Sequence, residues 1–154
     1  MIKEPITIKQ LKIDLSKIIN KKISRAWKGY GSALFLELGE LHNELAWDNK
    51  GDATASLTGE WTLSSEGAWR FLSGNKIVLD AEKASSAEIK NLIKKFNGLT
   101  LKILEINEKL ILHLSNNDVL EFNKAEYGFF TLISNEKKVI SYENNLPYIH
   151  QATL

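Results

Sequence analysis

The stretch Leu99-Thr100-Leu101-Lys102-Ile103-Leu104-Glu105-Ile106-Asn107-Glu108-Lys109-Leu110-Ile111-Leu112-His113-Leu114-Ser115-Asn116-Asn117-Asp118-Val119-Leu120-Glu121-Phe122 decides the fold class. Leu99, Leu101 and Ile103 alternate with polar residues, Asn107-Glu108 turns the chain, and Leu110, Leu112 and Leu114 alternate again. Ser115 to Asp118 is a second compact polar turn, and Val119 to Phe122 follows it. A period of two puts every second side chain on one sheet face, and short Asn/Asp/Ser turns join antiparallel neighbours. Phe129 to Ile133 and Val139 to Tyr142 continue the series, so an antiparallel meander is expected.

Just before this stretch the period changes. Ser85-Ser86-Ala87-Glu88 is a capping box, in which the Ser85 hydroxyl accepts from the Glu88 amide and the Glu88 carboxylate reaches back. Ile89, Leu92, Ile93 and Phe96 then recur at helical spacing, Lys90, Lys94 and Lys95 suit the C-terminal dipole, and Asn97-Gly98 supplies a stop. A helix over about 85–96 is predicted. Upstream, Leu11, Leu15, Ile18 and Ile19 have helical spacing and end at Asn20; Ile23 to Trp27 and Ala33 to Leu38 read as strands around Gly29-Tyr30-Gly31. Ile77 to Leu79 adds a short strand. Residues 48 to 53 read as a polar loop.

The two halves share a rhythm. Ile19 and Leu34 stand 77 residues before Phe96 and Ile111 in comparable helix–strand–turn–strand settings. The expectation is one domain, 1–154, α+β in class and mainly antiparallel meander. Half-repeats 7–80 and 85–145, each a helix plus hairpin, would pack about a pseudo-twofold axis, with the helices on one side of the sheet. Glu60-Trp61-Thr62-Leu63 and Trp69-Arg70-Phe71-Leu72 flank Ser64-Ser65-Glu66-Gly67 as a hairpin would, which would set Trp61 opposite Trp69 and leave Arg70 on the other face.

Composition narrows the function. No cysteine is present, which removes disulfides, thiolate metal sites and cysteine nucleophiles, and fits a reducing cytoplasm. No apolar run approaches the roughly 20 residues of a membrane span, and Met1 to Ile6 does not read as a signal peptide. Twenty Lys+Arg against nineteen Asp+Glu leave a net charge of +1, which gives no global attraction to nucleic acid or anionic lipid. Lys17, Lys21, Lys22, Arg25 and Lys28 form a basic stretch with Trp27 and Tyr30 interleaved. A helix C-terminus draws lysines for its own dipole, so nucleic acid is not the expected partner.

Chemistry-bearing motifs are scarce. Gly29-Tyr30-Gly31-Ser32 lacks the Gly-Lys-Ser/Thr ending of a phosphate loop and reads as a turn. There is no G-x-S-x-G elbow. Glu40, His42 and Glu44 at i, i+2, i+4 would share a strand face able to hold a divalent ion, but a solvated sheet face alternates in the same way. His113 lies on the strand face opposite the leucines, and His150 falls in the last five residues, where chains fray. The expectation is therefore no catalytic set, no metal and no cofactor: not an enzyme but a protein-binding module. Four tryptophans exceed what the core requires, and Trp47, Arg70, Trp27 and Tyr30 are the candidate partner surface. The alternative is a small-molecule binder or weak hydrolase with a polar site between the sheets, drawing on Glu37, Glu40, His42 or Arg70.

One resemblance bears on this. Arg25 to Gly39, overlapped by Gly31 to Leu41, which reads GSALFLELGEL, with Gly59 to Leu63 and Trp69-Arg70-Phe71, resembles a family of small uncharacterised bacterial proteins with such a segment and a later WR strand. The resemblance is strong over the first half and a matter of pattern over the second. It implies bacterial origin and no assigned activity. Some proteins of this size and style accompany secreted toxins as immunity factors. No residue role carries over.

Overall fold

The structure is a computed structural model that describes residues 3–47, 53–125, 128–143 and 145–151, the side chains of 45–47 and 53–55 excepted. The polar loop read at 48–53 thus lies almost wholly outside the described residues. The first half runs β1 (Glu4–Pro5), α1 (Ile8–Ser16), β2 (Ile23–Lys28), β3 (Leu34–Leu38), β4 (His42–Trp47), β5 (Ala53–Thr58), β6 (Trp61–Ser65), β7 (Trp69–Ser73) and β8 (Lys76–Asp80). The second runs α2 (Ser86–Ile93) with a 3-10 turn Lys94–Phe96, β9 (Leu101–Ile106), β10 (Lys109–Leu114), β11 (Val119–Asn123), β12 (Phe130–Ser134), β13 (Lys138–Glu143) and β14 (Leu146–Gln151).

The strands form a seven-stranded sheet, β1-β14-β13-β12-β6-β3-β2, a five-stranded sheet, β8-β7-β11-β10-β9, and the separate hairpin β4-β5. The expected α+β architecture is present, with two antiparallel sheets. Leu34, Leu36 and Leu38 of the larger sheet and Leu110, Leu112 and Leu114 of the smaller are buried in one common core. Period-two leucines make each sheet apolar on one face, and facing sheets bury both. Both helices lie where the edge strands β2 and β9 meet, α1 beside β9 and α2 beside β2. Ile89, Leu92, Ile93 and Phe96 are buried as their spacing predicts, and the Ser85–Glu88 capping box is formed in both directions.

The halves correspond element by element. Thr7 and Ser85 are the N-caps, Leu11 and Ile89, Leu15 and Ile93, and Ile18 and Phe96 are buried pairs, and Asn20 and Gly98 both have positive φ. Leaving aside β1 and β14, which extend the larger sheet at one edge, each half gives three strands to one sheet and two to the other: β2-β3-β6 with β7-β8, and β9-β10-β11 with β12-β13. A bulge sits at the same place in both hairpins, between Ile23 and Arg25 and between Leu101 and Ile103. The expected constant offset of 77 resolves into 78 for β2 against β9 and 76 for β3 against β10, because the second β-turn is two residues shorter. Phe96 corresponds to Ile18, not Ile19, and Ile111 to Phe35, not Leu34.

Three expectations are corrected. The tryptophan segments are not a hairpin: β6 pairs with β3 and β12 and β7 with β11 and β8, so Glu66 to Ala68 crosses from one sheet to the other. Trp61 therefore does not oppose Trp69, although both point inward. Alternation fixes which side of a strand is apolar, and facing sheets satisfy it as well as neighbouring strands do. His150 does not fray but pairs with Val139 in β14. Glu40 stands in the bend before β4, off the strand face of His42 and Glu44, with its amide donating to the Glu60 carboxylate at 2.8 Å.

Candidate functional site

The outer faces of the two sheets are treated differently. On the larger sheet Glu37, Thr62, Ser64, Ser141 and Val139 face away from the core yet are buried. The β4-β5 hairpin lies over this face. Arg25 donates to the Leu57 carbonyl at 3.0 Å, the Gly59 amide donates to Glu37 at 3.2 Å, and Glu44 pairs with Lys137 at the β12–β13 turn. The Lys137 hydrogen bond, against the opposing effect of burial, holds the Glu44 carboxyl below its ordinary range.

Trp27 belongs to this covered face. Its ring stacks on Phe35 with centroids 4.0 Å apart, the Arg25 guanidinium lies 5.5 Å above it, and its N–H donates to Glu37 at 2.7 Å. Thr62 donates to the same carboxylate, so Glu37 is a buried acceptor on the covered face with its partners supplied by the fold. Tyr30 projects fully into solvent from the β2–β3 turn. The basic stretch is divided among partners: Lys17 to Asp14, Lys21 to Glu60, and Arg25 to Leu57.

Among the described residues nothing covers the smaller sheet in this way; where β4-β5 is inserted in the first half, the second has the Ser115–Asp118 turn. Two rows of registered residues cross all five strands on its outer face. One is Ile77, Leu72, Val119, His113 and Ile103; the other is Asp80, Arg70, Glu121, Ile111 and Glu105. The first is apolar but for the histidine, and its ends, Ile77 and Ile103, are 54% and 55% exposed. The second is charged except at Ile111 and is tied by Arg70–Asp80 at 3.5 Å and by Glu121 to Lys109 at 3.2 Å. A shallow groove of about 260 Å³ runs between the rows, floored by Leu72, Ile111 and Val119.

His113 contacts Glu105 at 3.0 Å in this groove. A carboxylate-oriented imidazole is a competent base, but the described residues lining the groove offer no hydroxyl for it to activate. Among the described residues no three His, Asp or Glu side chains converge as metal ligands. Of the four expected surface residues, Arg70 lies on this face, Trp27 and Tyr30 lie with the other sheet, and the Trp47 side chain is outside the described residues. Glu37, Glu40, His42 and Arg70 do not share one site. The sequence signal missed was Ile111 and Val119, β-branched residues lying opposite the leucines where a wet face would be polar; Ile103, expected on the face of Leu99 and Leu101, is turned outward by the bulge between Leu101 and Ile103.

The chain matches no model of a known protein family, no curated protein and no solved structure. No helix among the described residues is long and apolar enough to cross a membrane.

Proposed function

We propose that this protein is a non-enzymatic, cytoplasmic binding module that docks a protein partner on the outer face of its five-stranded sheet, as an immunity-type protein would occlude a bacterial toxin. The observation that carries the reading is the apolar row from Ile77 to Ile103, left open while the corresponding face of the other sheet is covered by the chain's own hairpin. An apolar stripe beside a charged row has the make-up of an interface core with a polar rim. Arg70 and His113 at its centre supply directional contacts, and arginine is a frequent hot-spot residue.

The test is affinity capture from the native cell with the wild type, a Leu72→Lys/Val119→Lys variant and a Tyr30→Ala control. The expected result is a partner captured by wild type and control and lost by the double variant, with all three melting alike. A partner retained by the double variant would exclude this face.

A further inference from the structure

We infer that the edge of β9 is a second binding site, one that accepts an extended acidic segment of a partner protein as an added antiparallel strand beside α1. It does not depend on the sheet-face reading above. Hydrogen bonds to β10 alternate along β9: the Asn107 amide donates to the Lys109 carbonyl while the Leu114 amide donates to Asp118 on the far side, so Ile103 and Glu105 face β10. The backbone N–H and C=O of Leu104 and Ile106 therefore point away from the sheet, and no described residue takes them.

The same edge is already used one step earlier. Asn20 donates to the Leu101 carbonyl at 2.6 Å and the Leu101 amide donates to Lys21 at 3.0 Å, in antiparallel sense, before the chain turns off into α1. On the corresponding strand β2 the free donor is filled: the Ala26 N–H goes to the Asn97 side chain at 3.1 Å. The counterpart of Asn97 is Ile19, which carries no acceptor, and it lines an open groove of about 430 Å³ with Lys12, Ser16, Leu104 and Ile106. That volume lies within the range of about 300–1,000 Å³ typical of ligand clefts.

Charge selects the occupant. Lys12 lines the groove, with Lys9 three residues before it on α1 and Lys102 on β9 outside the lining; all three are exposed and make no ion pair with the described residues, whereas Glu105, the one carboxylate among the described lining residues, is engaged by His113. Strand addition supplies main-chain hydrogen bonds, and alternate side chains give selectivity: apolar ones would meet Ile19 and Leu104, acidic ones the lysines.

The probe is a library of acetylated, amidated heptapeptides screened by fluorescence polarisation against the full chain. Expected are hits alternating apolar and acidic residues, with slowed amide exchange at Leu104 and Ile106 on binding. Ser16→Trp, at an exposed helix position that fills the groove, should weaken the hits about tenfold or more, a loss of about 1.4 kcal/mol. Lys12→Glu should turn selection toward basic peptides. Absence of hits, hits indifferent to Ser16→Trp, or self-association of the chain abolished by Ser16→Trp would each overturn the proposal.

Discussion

Lys22 pairs in an antiparallel bridge with Thr100, its own counterpart 78 residues on. Around this pair the hydrogen bonds come in matched twos. Asn20 donates to Leu101 and Gly98 to Ile23; Ile23 donates to Leu99 and Leu101 to Lys21. The pseudo-twofold axis thus passes between Lys22 and Thr100 and closes the two sheets along one side. Just before the bridge in each half stands the residue with positive φ, Asn20 at 70° and Gly98 at 89°.

Those two positions make the first prediction. A Cβ at Gly98 meets nothing within 4 Å, so Gly98→Ala tests conformation alone. Left-handed backbone costs an L-residue about 1–2 kcal/mol, and asparagine tolerates it better. Gly98→Ala should lose about that much in urea unfolding, Gly98→Asn less, and Asn20→Gly little or nothing. Equal losses for all three would mean that the turn is not held left-handed in solution.

The helix face gives the second. Ile93 and Phe96 are 5% and 0% exposed, so either change to Ala should cost about 2–5 kcal/mol. Lys90 is exposed, and Lys90→Ala should move stability by only a few tenths of a kcal/mol. Urea midpoints at constant slope decide it.

The third concerns pH. Asp14 is fully buried on α1. Burial alone would raise its carboxyl, but hydrogen bonds from Gln10 and Lys17 and the charges of Lys138 and Lys17 outweigh this and hold it below the ordinary value. A depressed folded pKa adds stability above the unfolded pKa, and that stability is lost as pH falls through the folded value. The stability difference between wild type and Asp14→Asn should therefore be full near neutrality and shrink below about pH 4. A difference constant down to pH 2 would sink it.

Much of this was legible from residues. The second-half leucines, the Ser85–Glu88 box and the Ile89–Phe96 stripe act locally, and local structure followed them. Two things were not. The β4-β5 cover rests on contacts such as Glu44–Lys137, 93 residues apart in sequence, which no short-range pattern encodes. The open face is defined by which sheet β7 joins, and Trp69 with Phe71 alternates identically whether β7 continues beside β6 or crosses over.

That crossing makes the last prediction. Between Ser65 and Trp69 the chain passes from the larger sheet to the smaller, and beside it the chain between Asn123 and Phe130 makes the reverse passage. The two corners are stitched together: the Asn123 amide donates to the Ala68 carbonyl at 2.8 Å and the Glu66 amide to the Phe129 carbonyl at 3.0 Å. At the centre of the corner is Gly67, where an added Cβ would fall 2.5 Å from the Asn123 carbonyl oxygen. That contact is with backbone, which no rotamer change relieves, so Gly67→Ala must push the two corners apart. The cost should reach about 1–3 kcal/mol, the range of overpacking in a well-packed region. Gly74→Ala serves as the control, since its Cβ meets nothing within 4 Å and only its φ of +58° is penalised. Calorimetric melts of the two variants should show Gly67→Ala the lower. If Gly67→Ala melts with the wild type, the corner is looser than two stitched strands allow.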